Sequence, residues 1–316
     1  MNGMTKRLKT ALATRGHTEA LKNGTVKPRS FEFEFEEAPV IIKAFRRMVR
    51  NLDFDICELA VTTYLCSRAY GKAFTAIPVF PVRAFHHGAI VYNTNIGIRT
   101  PKDLEGKKVG VNRGYTVTTG LWVRGILQHE HGVDLSRVTW VLSGDEHVAE
   151  YRPPANVVSI EPGKTLEGLV ESGDIAAAIG VQVDSPNVKP LIENAKEAGF
   201  ESLRRRGLYP INHTVVVRND ALDANPDLAS DLFGAFAAAK RAYVDRLVAG
   251  RVEGADPIHV RMMELTGDPL PYGIEPNLHN LEAIVQYSVE QGILSRPFPV
   301  EELFAESTRD LADCLQ

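Results

Sequence analysis

Lys107-Lys108-Val109-Gly110-Val111-Asn112-Arg113-Gly114-Tyr115-Thr116-Val117-Thr118-Thr119-Gly120 reads as a short buried strand, a turn at Arg113-Gly114 and a helix opening on hydroxyl residues. Helix starts expose unpaired backbone N–H groups and the positive end of the helix dipole. With threonine hydroxyls and an arginine alongside, those groups form an anion site. The ordinary alternative is a strand–turn–helix capped by Thr116. Outward from this stretch, strands and helices alternate over most of the chain. Strand patterns fall at Leu8–Ala13, Phe31–Phe35 (strictly alternating), Phe54–Leu59, Phe74–Phe80, Ala89–Tyr92, Val138–Leu142, Ile175–Val183 and Thr214–Val217. Helical spacing covers 40–49, 61–70, 165–172, 191–200, 227–249, 257–265 and 278–291, with Thr100-Pro101 as a further helix start.

Such alternation implies an α/β fold with largely parallel sheets. At 316 residues the chain is long for one core, so two lobes are expected. The helical end follows a strand after a long excursion. That places a first lobe at 1–94 plus 209–316, an inserted lobe at 95–208 and a hinge near 93–95 and 208–210. Ligands of such folds sit at strand carboxyl ends and between domains.

A formal charge of −4 excludes a strongly basic nucleic-acid binder, and no apolar run approaches membrane-spanning length. The three cysteines, Cys57, Cys66 and Cys314, have no metal or redox spacing, which fits a reducing compartment. Met1–Lys9 carries charge without an apolar core, so a cytoplasmic location is expected.

The phrase from Ile98 to Val111 is similar to the entry into the second lobe of type II periplasmic-binding-protein folds. Ala13–Thr18, Pro78–His87, Val111–Tyr115 and Leu208–His213 together resemble the 4,5-dihydroxyphthalate decarboxylase family. The resemblance implies a two-lobed type II periplasmic-binding-protein-like fold with mostly parallel sheets and an interdomain cleft. It also implies a cytosolic enzyme that removes one carboxylate from a catechol dicarboxylate without oxidation, giving 3,4-dihydroxybenzoate and CO2.

That chemistry needs a dianion held, an acid at the ring carbon and management of a phenolic proton. Guanidinium forks suit carboxylates, and Arg15, Arg83 and Arg113 each follow a strand pattern; a surface arginine is the default for any one of them. Histidines suit the proton transfers, which nominates His17, His86 and His213, with Glu58 as base or arginine partner. His87 is placed with the substrate contacts, since neighbours on an extended chain point to opposite faces and only one of His86 and His87 should face a ligand. Thr18, Tyr115, Thr118 and Tyr209 complete the expected binding set, core packing being the default for the tyrosines. Arg124 is expected to pair with an acid. No dinucleotide or P-loop fingerprint is present, so no cofactor is expected, with a divalent metal chelated by the catechol as the alternative. The expected partner is a small aromatic dicarboxylate, without nucleic acid or membrane, and a homo-oligomer is left open. The rival reading is a solute-binding protein for an anionic aromatic compound; a decarboxylase of a related hydroxybenzoate keeps the chemistry and changes the substrate.

Overall fold

The computed structural model describes residues 6–254 and 256–314. Met1–Thr5, part of the stretch read for a leader segment, lie outside the described residues. In chain order the strands of the two main sheets are β1 (Lys6–Ala11), β2 (Phe31–Phe35), β3 (Ile56–Ala60), β4 (Phe74–Arg83), β5 (Ile90–Asn93), β6 (Lys108–Val111), β7 (Thr139–Leu142), β8 (Val157–Ser159), β9 (Ala177–Ile179), β10 (Val188–Pro190) and β11 (Ile211–Arg218). One sheet has the order β2-β1-β3-β11-β4, the other β10-β5-β9-β6-β7-β8.

The first sheet thus takes its strands from the two ends of the excursion and the second from the middle. Parallel ladders join β1 to β2 and β3, and β6 to β7 and β9, with β8 beside β7. Every antiparallel ladder in these sheets involves β5 or β11, the strands that follow the two passages between sheets. Because β5 pairs with β9 and β10, the chain has already reached the second sheet at Ile90, before the expected hinge at 93–95. The alternating FEFEF strand lies at the sheet edge with its even positions toward solvent, as its pattern requires.

Differences from the sequence reading have local causes. The Ile175–Val183 run is a strand only over Ala177–Ile179, because Gly180 turns the backbone to φ +76°. Thr100 forms a capping box with Asp103, but the element it opens is one tight turn, Pro101–Leu104. The three-residue strands β8 and β10 are too short to show periodicity and were not expected. The helix expected at 191–200 runs from Ala195 to Arg206, starting after Asn194 at φ +47°.

The helix Thr118–His131 of the second sheet packs against Val61–Ala69 and Leu278–Glu290 of the first. Trp122 Nε1 donates to the Ile211 carbonyl at 2.9 Å, and Gln291 bridges Arg124 Nε (2.7 Å) and the Leu121 carbonyl (3.0 Å). Arg124 is fully buried, and among the described residues it has no ion-pair partner. Its guanidinium lies 3.8 Å from the centre of the Tyr115 ring, in place of the acid expected for it. On the other side, Arg46 and Arg50 of the helix Ile41–Asn51 clasp Asp145 in the loop after β7, at 2.7–2.9 Å and 3.0 Å.

In the long helix Leu228–Val248, Lys240 is wholly buried and its ammonium bonds Asp268 (2.7 Å) and lies 3.1 Å from Asp313. Removing one member of a buried ionic cluster costs about 3–5 kcal/mol, since charge of one sign is left behind. Lys240→Met should lower the unfolding free energy by about that much in urea titrations; a loss below about 1 kcal/mol would show that the carboxylates find other compensation.

Candidate active site

Glu58 is the third residue of a central strand buried along its whole length. A carboxylate in that position must be paired to remain charged. Arg15, in the turn after β1, meets it with a bidentate fork at 2.8 and 2.7 Å, and the Ala13 amide donates to it at 3.1 Å. The third partner comes from β11. Val215 is directly opposite Glu58 in the antiparallel ladder, so His213 is its diagonal neighbour. His213 Nδ1 lies 2.6 Å from Glu58 Oε1. Burial alone would push the Glu58 carboxyl up, but the hydrogen bond and charge of His213 and the fork of Arg15 hold it far below the usual range. Glu58 is thus a fixed anion, an arginine and histidine partner and not a proton acceptor at neutral pH. With Nδ1 engaged, His213 has Nε2 left over, and its side chain keeps 17% of its surface exposed.

His213 packs edge-on against Phe45, with ring centroids 5.1 Å apart. His147, from the loop after β7, also packs edge-on against Phe45, at 6.3 Å between centroids. His147 Nδ1 lies 3.4 Å from Thr63 Oγ1. Burial, then Arg46, Arg113 and Arg50, lowers its pKa to about 4. His147 shares the strand-end loop position of the nominated histidines, yet neither it nor Thr63 belongs to the expected site set; a loop histidine carries no sequence mark of the phenylalanine it will meet from another helix.

Two helix starts converge beside this group. Thr62, in the first turn of Val61–Ala69, donates its hydroxyl to Thr118 Oγ1 at 2.9 Å, and Thr118 opens Thr118–His131. Arg113, just before, takes a left-handed backbone (φ +71°), unusual for a residue with a side chain. Its amide is held by Ser143 Oγ at 2.8 Å. Its Nε is buried without a hydrogen-bond partner among the described residues, and burial lowers its pKa without an acid to offset it.

The strand–turn–helix stretch itself differs from expectation. The amides of Tyr115 and Thr116, read as donors for a ligand, are taken by the chain's own Glu146 carboxylate, which also accepts the Thr116 hydroxyl at 2.6 Å. Thr116 therefore does not cap the helix; Val117 stands at that position without a side-chain bond. The Tyr115 side chain is buried against Arg124 and does not reach a ligand.

Six further expected residues are engaged elsewhere. His17 is buried with Nε2 2.9 Å from the Pro81 carbonyl and its ring edge-on to Tyr243; burial, then the nearby Arg15 charge, lowers its pKa to about 3, leaving it neutral and structural. His86 is buried on Asn212 (3.0 Å) and lowered to about 4 by burial, and His87 pairs with Glu130 at 3.1 Å. The Thr18 hydroxyl closes its own turn, on the Ala13 carbonyl and Arg15 amide. Arg83 is buried on the Tyr209 carbonyl and Asn277, and the Tyr209 ring covers it. Of the expected set, Arg15, Glu58 and His213 form one hydrogen-bonded group, while Arg113 and Thr118 stand in the turn and the helix start after β6. Among the described residues no group of three or more His, Cys, Asp or Glu side chains could hold a metal ion, and no helix is long and apolar enough to cross a membrane.

The two sheets, their antiparallel return strands and the cleft between them define a periplasmic-binding-protein-like fold. Over 97% of its length the chain superposes on 99% of the periplasmic aliphatic sulphonate binding protein SsuA of Escherichia coli, with a TM-score of 0.54 at 13% identity, which speaks to the fold alone. No family model matches the chain. It is 32% identical over 280 residues to the 4,5-dihydroxyphthalate decarboxylase of Comamonas testosteroni, covering 82% of this chain and 84% of that one. A protein of the same name from Pseudomonas putida is 38% identical over 149 residues, 45% of this chain and 57% of that one. The chain belongs to the 4,5-dihydroxyphthalate decarboxylase family.

Glu58→Gln removes the buried anion held by Arg15 and His213 and should destabilise the fold at neutral pH by about 3–5 kcal/mol. The sign with pH follows from a folded-state pKa below the unfolded one. The contribution is complete above the ordinary glutamate range and fades as pH falls through and below it. Urea midpoints of wild type and variant should therefore converge toward low pH; a constant gap would rule out the ionised pair as the cause.

Proposed function

We propose that the protein decarboxylates 4,5-dihydroxyphthalate to 3,4-dihydroxybenzoate and CO2, with His213 as the proton donor to the ring carbon. The observation that carries this reading is a cation without an anion: Arg113, close enough to His147 to lower its pKa, has its Nε buried and without a hydrogen-bond partner among the described residues. A half-buried guanidinium without an acid suits a carboxylate brought by a ligand. Helix starts at Thr62 and Thr118 add to the attraction, and Arg15, whose side chain keeps 25% exposure, can contribute a free edge to the second carboxylate.

The substrate supplies its own electron source, since each carboxylate has a hydroxyl para to it. The phenolic oxygen donates an electron pair into the ring, and the ring carbon bearing the carboxylate takes the proton from His213 Nε2. The C–C bond then breaks, its pair returns to the ring, and CO2 leaves. Glu58 on Nδ1 orients the imidazole and compensates the charge it carries when protonated. The division into lobes at the passages 84–89 and 207–210, with a hinge there, belongs to the same proposal, as does the absence of a required cofactor.

Purified protein incubated with 4,5-dihydroxyphthalate should release CO2 and 3,4-dihydroxybenzoate, and turnover should survive exhaustive chelation. Thermal stabilisation by the compound without turnover would support the solute-binding reading instead. His213→Asn should lower kcat about 10²–10⁴-fold and leave ligand-induced stabilisation in place. Arg113→Ala should weaken dicarboxylate binding by about 1.5–3 kcal/mol. Equal loss of binding and turnover in the His213 variant would sink its proton-transfer role.

A further inference from the structure

We infer that His147 is the binding residue for the substrate's phenolic oxygen para to the departing carboxylate, donating Nε2–H to it as a phenolate. The inference rests on the decarboxylase reading and extends it to the phenolic end of the substrate.

His147 and His213 come from different sheets and both pack edge-on against the one Phe45 ring, at 6.3 and 5.1 Å between centroids. A planar six-membered ring presents its reacting carbon and the para oxygen at opposite ends. Two imidazoles brought to one phenylalanine from different sheets are near enough for a single planar ring to meet one with its reacting carbon and the other with its para oxygen. The tautomer comes next. Thr63 Oγ1 is 3.4 Å from His147 Nδ1, and a hydroxyl donating there places the ring proton on Nε2, which has no partner among the described residues.

The surroundings then select the ligand's charge. Helix Ile41–Asn51 brings Arg46 and Arg50 to this imidazole and the turn after β6 brings Arg113, while Val61–Ala69 contributes Thr63, which is uncharged. The acid in the same loop, Asp145, is clasped by Arg46 and Arg50. A field of three guanidiniums that disfavours imidazolium favours an anion in the same place. A neutral imidazole among cations therefore acts as a hydrogen-bond donor to a negative oxygen and not as a base. The balance closes without a base: the phenolic proton leaves to solvent on binding, the phenolate pair enters the ring, His213 delivers one proton to carbon, and CO2 departs as the pair returns to oxygen. His213 is reprotonated from solvent, and the oxygen regains its proton when product leaves.

The test uses 3,4-dihydroxybenzoate as a chromophoric probe, with its phenol-to-phenolate absorbance followed against pH. Bound to the wild type, its ionisation midpoint should fall by about one pH unit or more. His147→Phe should abolish the fall while the probe still binds, and His147→Gln, which keeps an N–H donor, should restore part of it. In the same variants kcat for 4,5-dihydroxyphthalate should drop near neutral pH and recover as pH rises. An unchanged midpoint in His147→Phe, or a neutral phenol bound to the wild type, overturns the assignment. Wild-type protein that shifts the probe but does not turn over 4,5-dihydroxyphthalate would overturn the decarboxylase reading and leave the oxygen site standing.

Discussion

The structure is organised by one buried carboxylate. Glu58 stands in the innermost part of the first sheet, where an unpaired charge would be prohibitive, and it is held by Arg15 from one strand end and His213 from the antiparallel return strand. Each partner depends on correct strand order. Shifting β11 by one residue would turn His213 to the other face and leave Glu58 with half its compensation. Register, charge and the orientation of a reactive imidazole are thus settled by the same contact. The excursion that builds the second sheet must return its chain to this site for the first sheet to be complete.

The second sheet contributes cationic and dipolar groups. Its own acid, Glu146, is turned back on the Tyr115 and Thr116 amides, directly after Gly114, where any Cβ would come within 2.6 Å of that carboxylate. The donors nearest the turn are therefore satisfied internally. What remains for a ligand is farther along: Arg113, held in a left-handed conformation by Ser143, and the first turns of two helices joined through Thr62 and Thr118. Strained backbone at an arginine without an acidic neighbour is where a binding function has a physical rationale.

Much of the fold was legible because its signals are local. FEFEF alternates as an edge strand must, the Val109–Val111 strand carries small and branched residues, and the helices 228–248 and 278–290 repeat their apolar faces over many turns. The site was legible in part. Arg15 and Arg113 follow strands, and the sequence pattern puts Glu58 and His213 near strand ends too, although the structure sets both inside strands. His17, His86 and His87 stand at similar positions, yet each is sealed by a partner distant in the chain, at Pro81, Asn212 and Glu130. Burial of that kind depends on tertiary contact and leaves no local trace. For the same reason the Glu58–His213 pair was not foreseen as a pair. Its members are far apart in sequence and meet only because β11 runs antiparallel between β3 and β4.

The clasp of Arg46 and Arg50 on Asp145 has a different character from the Arg15–Glu58 fork. Its side chains keep 35–62% of their surface in solvent, whereas Glu58 keeps none. Dissolved ions screen exposed charges over about 8–10 Å at physiological strength and act far less on buried ones. Ionic strength is therefore a selective solvent for this molecule. Raising it weakens this exposed clasp, which ties a helix of the first sheet to a loop of the second, well before it reaches the buried Glu58 pair.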